Sequence, residues 1–242
     1  MIRIVSIIVA TLLFCYIVFV TLFFREMREN YVCHDLEVVV RDSLDKHFVT
    51  EHDLVELLRK EGLSPIKKSM NSINTDRIEA ELLKNEMIAR VEAYKTPSGI
   101  IKLEVEQKIP ILRVISVRGN FYVDNLGSTM PISPRYVMQL PIVSGYVEKE
   151  FAMNELYKFA LFLQENEFWN NQIEQIYVYP DGEIELIPRV GDHRIVLGTF
   201  DNFEEKLANL QLFYDQAIPK VGWEKYGMIN LKYKNQIVCT KK

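Results

Sequence analysis

Ile101-Lys102-Leu103-Glu104-Val105-Glu106 alternates apolar and charged side chains without a break. A period of two places Ile101, Leu103 and Val105 on one face of a strand and the charges on the other, so the segment reads as a half-buried strand with one wet face. Immediately before it, Thr96-Pro97-Ser98-Gly99 is turn material, and Ile88 to Tyr94 supplies a second strand. Further upstream, Ile78 and Leu82 stand four apart on one face of a helix that starts near Asn74. Thr50-Glu51-His52-Asp53 has the form of a capping box ahead of Leu54, Leu57 and Leu58, and Gly62 stands at the expected helix end. Leu36 to Val40 is β-branched and reads as a first strand. The order is strand, helix, helix, strand, strand.

Downstream of Lys108-Ile109-Pro110 the texture changes to short strands and turns. Val114 to Val117 and Phe121 to Val123 flank Arg118-Gly119-Asn120, and Pro131, Pro134 and Pro141 keep the next stretch extended or looped. A helix is predicted from about Lys149 to Glu167 on the apolar stripe Ala152, Leu156, Phe159, Ala160 and Leu163. Ile176 to Tyr179, Pro180-Asp181-Gly182 and Ile184 to Ile187 carry a hairpin signature, followed by Ile195 to Leu197. A third helix is expected from Asp201, with Glu204 as its capping partner. Met228 to Tyr233 and Gln236 to Val238 close the chain as strands.

At the N-terminus, Ile4 to Phe24 carries no charge and is bounded by Arg3 and Arg25. A helix of that length spans ~30 Å, the thickness of a bilayer core. It is too long for a signal-peptide core and lacks a small-residue cleavage site, so it reads as a retained anchor. Basic residues flank both ends, so charge alone does not orient it. The expectation is a three-residue cytoplasmic tail, 1–3, with everything after 24 outside the cytoplasm. A net charge of −4 gives no nucleic-acid footprint. Cys33 and Cys239 form no disulfide framework and read as free thiols.

Catalytic constellations do not emerge. His34, His47, His52 and His193 show no metal-ligand spacing, and no phosphate-binding or nucleophile-elbow motif occurs, so neither metal nor cofactor is expected. Glu104/Glu106 and Glu183/Glu185 lie at period two, as on a solvent face. An anchored envelope hydrolase or transferase would need a site assembled from scattered residues around a deep cleft.

The strand-helix-helix-strand-strand unit resembles a POTRA domain, and a POTRA after one anchor, followed by a β-rich unit, resembles the FtsQ/DivIB family of bacterial cell-division proteins. Ile101 to Pro110 looks like the family's POTRA exit, and Tyr122-Val123-Asp124-Asn125-Leu126-Gly127 like its D-x-x-G step. Leu140-Pro141-Ile142-Val143-Ser144-Gly145 resembles its LP-containing motif, and Asn230-Leu231-Lys232-Tyr233 its D-L-R-Y strand, with Asn for the acid. The usual Gly-Asn after the first POTRA strand is replaced by Arg41-Asp42-Ser43.

The resemblance implies an α+β chain: a single N-terminal transmembrane helix (4–24), a POTRA-like βααββ domain (33–107) and a β-rich domain with helices (108–242). It implies a non-enzymatic division scaffold in the inner membrane at the septum. That scaffold would hold FtsB-type and FtsL-type proteins through the β-rich domain and other divisome proteins through the POTRA-like domain, and so help control septal peptidoglycan synthesis. Leu231, Lys232 and Tyr233, on a strand expected from Ile229 to Tyr233 at the sheet edge, are the implied partner-binding residues. A POTRA-bearing subunit of another envelope assembly is the alternative within binding proteins.

Overall fold

The computed structural model describes residues 11–21, 31–41, 48–133 and 138–242. Of the expected anchor, residues 11–21 are helical and largely exposed; the remainder, with the expected tail at 1–3, lies outside the described residues. Among the described residues, no helix is long and apolar enough to cross a membrane. The chain divides into two compact units, Met1–Gln107 and Lys108–Lys242.

In the first unit the strands are β1 (Asp35–Arg41), β2 (Ile88–Lys95) and β3 (Ile100–Gln107), with helices α1 (Glu51–Lys60) and α2 (Thr75–Leu82) between β1 and β2. The sheet order is β1-β3-β2, with β1 parallel and β2 antiparallel to β3. The alternation of β3 has the expected effect: Ile101, Leu103 and Val105 are fully buried. Leu54 and Leu58 of α1 and Ile78 and Leu82 of α2 are buried as well. Both helix starts are chemically fixed. Thr50 and Asp53 form the reciprocal capping box, and Asn74 Oδ1 accepts the Arg77 N–H at 2.9 Å. The wet face is internally paired, with Lys102 on Glu37 at 3.1 Å, Arg41 on Glu104 at 2.7 Å, and Arg90 on Glu92.

The second unit is built on a mixed sheet that has, among the described residues, nine strands in the order β12-β11-β10-β9-β8-β7-β4-β5-β6. The strands are β4 (Pro110–Ser116), β5 (Gly119–Asp124), β6 (Thr129–Pro131), β7 (Ile142–Gly145), β8 (Ile173–Val178), β9 (Ile184–Pro188), β10 (Arg194–Gly198), β11 (Tyr226–Asn230) and β12 (Val238–Lys241). The first long helix is interrupted. Lys149–Phe151 leads into a π turn, Ala152–Leu156, and then into α3 (Tyr157–Glu165); α4 (Glu167–Gln172) follows after Asn166. Next come α5 (Phe203–Gln216) and α6 (Ile218–Val221).

The apolar stripe of α3, with Leu207, Leu210 and Tyr214 of α5, packs with Val143, Ile176, Leu186, Ile195 and Ile229 from the sheet into one core. Phe159 is fully buried at its centre, 5.0 Å from Phe200 and 5.2 Å from Phe203 by ring centroid.

Side-chain contacts correct two further readings of this unit. The helix expected from Asp201 has its N-cap at Asn202, which adopts a left-handed conformation and makes no side-chain cap. Asp201 accepts the Thr199 hydroxyl instead, at 2.7 Å. Glu185 is buried, within reach of Tyr179 Oη at 3.3 Å and Arg194 at 3.4 Å, so it does not lie on an open solvent face.

Candidate partner-binding edge

The second unit's chain turns sharply after β11. Asn230 Oδ1 accepts the Lys232 N–H at 2.9 Å, which bends the backbone out of the strand. Leu231 remains attached to the sheet: its N–H donates to the Val196 carbonyl at 2.9 Å, and its side chain is buried. The chain reverses through Lys234 and Asn235, where Asn235 takes a positive φ of 60°, and returns as β12. β12 pairs antiparallel with β11, placing Cys239 opposite Ile229 and Val238 opposite Asn230.

This placement corrects the expected strand from Ile229 to Tyr233. The strand ends at Asn230 and is interior, lying between β10 and β12. The edge of the sheet is β12. Of the three implied residues, Leu231 belongs to the core, whereas Lys232 and Tyr233 lie on the connection beside the edge. Tyr233 is 50% exposed and so is not a core aromatic.

Among the described residues, β12 has a neighbouring strand on one side only, and Val238, Thr240 and Lys241 are exposed. Such an edge presents unpaired N–H and C=O groups to an incoming strand. The far end of β12 is clamped. The Lys242 ammonium lies 2.8 Å from Asp192 and 3.2 Å from Glu224, and both contacts hold its proton more tightly. Burial pushes the Cys239 thiol pKa up, which keeps the thiol protonated.

Beside the edge lies a groove of about 460 Å³ between the start of α5 and the Leu231–Ile237 connection. Its charged groups are partly committed to the walls. Lys206 donates to the carbonyls of Leu197 at 3.0 Å and Thr199 at 2.8 Å, and burial lowers its pKa. Lys232 reaches across the end of β10 to Glu183, whose hydrogen bond and charge raise the lysine pKa. The stem of Lys232 lies over Gly198, where an added Cβ would stand 2.8 Å from Lys232 Cγ. Glu183 therefore belongs to this site, and only its place in the fold reveals that.

His193 is the second buried polar feature near the edge. Its Nε2 lies 2.7 Å from Tyr214 Oη, and its ring stacks on Trp223 at 5.9 Å. Burial depresses the His193 pKa, Lys242 adds to that effect, and Asp192 opposes it. A base with a depressed folded pKa takes up its proton more readily in the unfolded chain. Its contribution is therefore fully present above the ordinary value of about 6.5 and is lost as pH falls from there toward the folded pKa. The urea midpoint is expected to fall from about pH 7.5 to pH 5.5, and less steeply in His193→Gln. Equal slopes in the two proteins would place the acid lability elsewhere. Among the described residues, no group of three or more His, Cys, Asp or Glu could hold a metal ion.

Comparison with known proteins places both units. Residues 109–240 match a family model described as FtsQ/DivIB, C-terminal related, and residues 31–106 match a POTRA-like domain. The cell division protein FtsQ of Rhodothermus marinus is 27% identical over 154 residues, 59% of this chain and 56% of that protein. The chain thus spans about half the length of that relative. Among solved structures, the major extracytoplasmic domain of the trans isomer of DivIB from Geobacillus stearothermophilus overlaps 48% of this chain and 98% of its own. The overlap has 15% identity and a TM-score of 0.34, too loose to establish a common fold.

Proposed function

Because the chain belongs to the FtsQ/DivIB family, we propose that it is a non-enzymatic cell-division scaffold. The apolar run 4–24 anchors it in the inner membrane at the septum with its bulk outside the cytoplasm. The β-rich domain, 108–242, binds an FtsB-type and FtsL-type pair, the POTRA-like domain, 33–107, engages other divisome proteins, and the protein so helps control septal peptidoglycan synthesis. The observation that supports this reading is the open edge of β12, flanked by an exposed tyrosine. A partner strand added to β12 would gain main-chain hydrogen bonds, and side-chain pockets beside it would supply specificity. Tyr233 offers a large amphipathic contact there, and Lys232 a cation for a partner carboxylate.

The test uses full-length protein extracted from membranes with detergent; recovery in the soluble fraction would refute the anchor. Tyr233→Ala is expected to weaken binding of the FtsB-type and FtsL-type pair by about thirtyfold, ~2 kcal/mol. The melting temperature should barely move, because half of the tyrosine is already in water. A change in affinity below about threefold would remove Tyr233 from the site.

A further inference from the structure

Lys232 is already occupied in the free protein. Its ammonium is ion-paired with Glu183, yet both side chains keep contact with water, at 38% and 42% exposure. Each end of the pair is fixed by backbone geometry that does not involve the other. On the Glu183 side, the turn after β8 is closed by hydrogen bonds from Gly182 N–H to the Tyr179 carbonyl at 3.0 Å and from Tyr179 N–H to the Glu183 carbonyl at 2.9 Å. Asp181 Oδ1 accepts the Glu183 N–H at 3.1 Å, which fixes the acid's position further. On the lysine side, the Asn230 turn sets the backbone and Gly198 leaves room for the stem. The pair therefore spans the end of β10, from the hairpin turn to the start of the β11–β12 connection. Asp181 adds its negative field to the same ammonium.

We propose that the acidic β8–β9 turn is an internal ligand for Lys232, and that a partner carboxylate binds there only by displacing Glu183. The inference rests on the partner reading above and adds a competitor to it. The two features have different consequences. A free lysine would form a new ion pair on binding, so affinity would fall as salt rises. An exchanged lysine keeps the number of pairs constant, so this contact adds little salt dependence. The hairpin thus tunes affinity downward and screens for partners whose carboxylate is positioned well enough to outcompete a fixed intramolecular one.

Glu183→Gln keeps the side chain's shape, removes its charge and leaves the turn's backbone hydrogen bonds untouched. Calorimetric titration of the full-length variant with the soluble FtsB-type and FtsL-type pair of the same bacterium is expected to show about threefold tighter binding than wild type, the scale of one exposed ion pair. The variant's affinity should also fall more steeply with added salt. In a Lys232→Met background, Glu183→Gln should change neither quantity. Equal or weaker binding by Glu183→Gln, or an undiminished effect without Lys232, would overturn the exchange. Failure of wild type and every variant to bind the pair would overturn the partner reading itself, and the exchange with it.

Discussion

Gly145→Ala is expected to lower the unfolding free energy by ~3–5 kcal/mol, enough to leave a marginally stable domain largely unfolded. Gly145 ends β7 at a φ of 97°, where an L side chain is strained. Space adds a second and larger obstacle: an added Cβ would lie 2.2 Å from the Val178 carbonyl oxygen. That oxygen belongs to the neighbouring strand β8 and accepts the Tyr146 N–H at 2.9 Å, so it cannot yield without parting the two strands. β7 lies in the interior of the sheet between β4 and β8, so the disturbance has no edge at which to relax. Urea unfolding of the isolated 108–242 unit, compared with wild type, measures the cost. A loss below about 1 kcal/mol would show that β7 and β8 separate with ease.

Asp124→Ala should cost ~3 kcal/mol by a different route. The carboxylate is fully buried. Its Oδ1 accepts the N–H groups of Leu126 at 2.9 Å and Ser128 at 2.8 Å, closing the turn between β5 and β6. Its Oδ2 makes no hydrogen bond and is balanced by the Lys108 ammonium at 3.6 Å. Truncation would strand two donors and leave a mostly buried ammonium without its counter-charge. Asp124→Asn retains the acceptor and should lose less. Charge coupling is separable in a double-mutant cycle: Asp124→Ala with Lys108→Met should destabilise by less than the sum of the single changes. Strict additivity would leave only the turn hydrogen bonds to explain the aspartate.

The local rules were legible in the sequence. The capping box at Thr50, the helix start near Asn74 and the alternation of Ile101 to Glu106 each depend on neighbours a few residues away, and each appears where expected. The turn at Pro180-Asp181-Gly182 is also local, and β9 follows it directly. Strand neighbours are a different matter. Leu140 to Gly145 carried a motif but no strand signature, and β7 gains its identity from parallel partners on either side. Lys232 and Tyr233 were visible as residues but misplaced as strand, because the Asn230 side chain turns the backbone away from β11. The true edge, Val238–Lys241, has little apolar alternation to announce it. Glu183 is 49 residues from its partner, a relation that no spacing rule encodes.

The two margins of the large sheet are unequal in a way that sets its valence. Among the described residues, β12 has no strand on its outer side, whereas β6 is three residues long and ends in Pro131, which has no N–H to donate. Head-to-tail stacking of copies through β12 and β6 would need two competent margins, and β6 makes a poor one. With one receptive side, the sheet would take one added strand and no second. On the proposed partner reading, the unit would serve as an end-piece, terminating an assembly without seeding a fibre of itself.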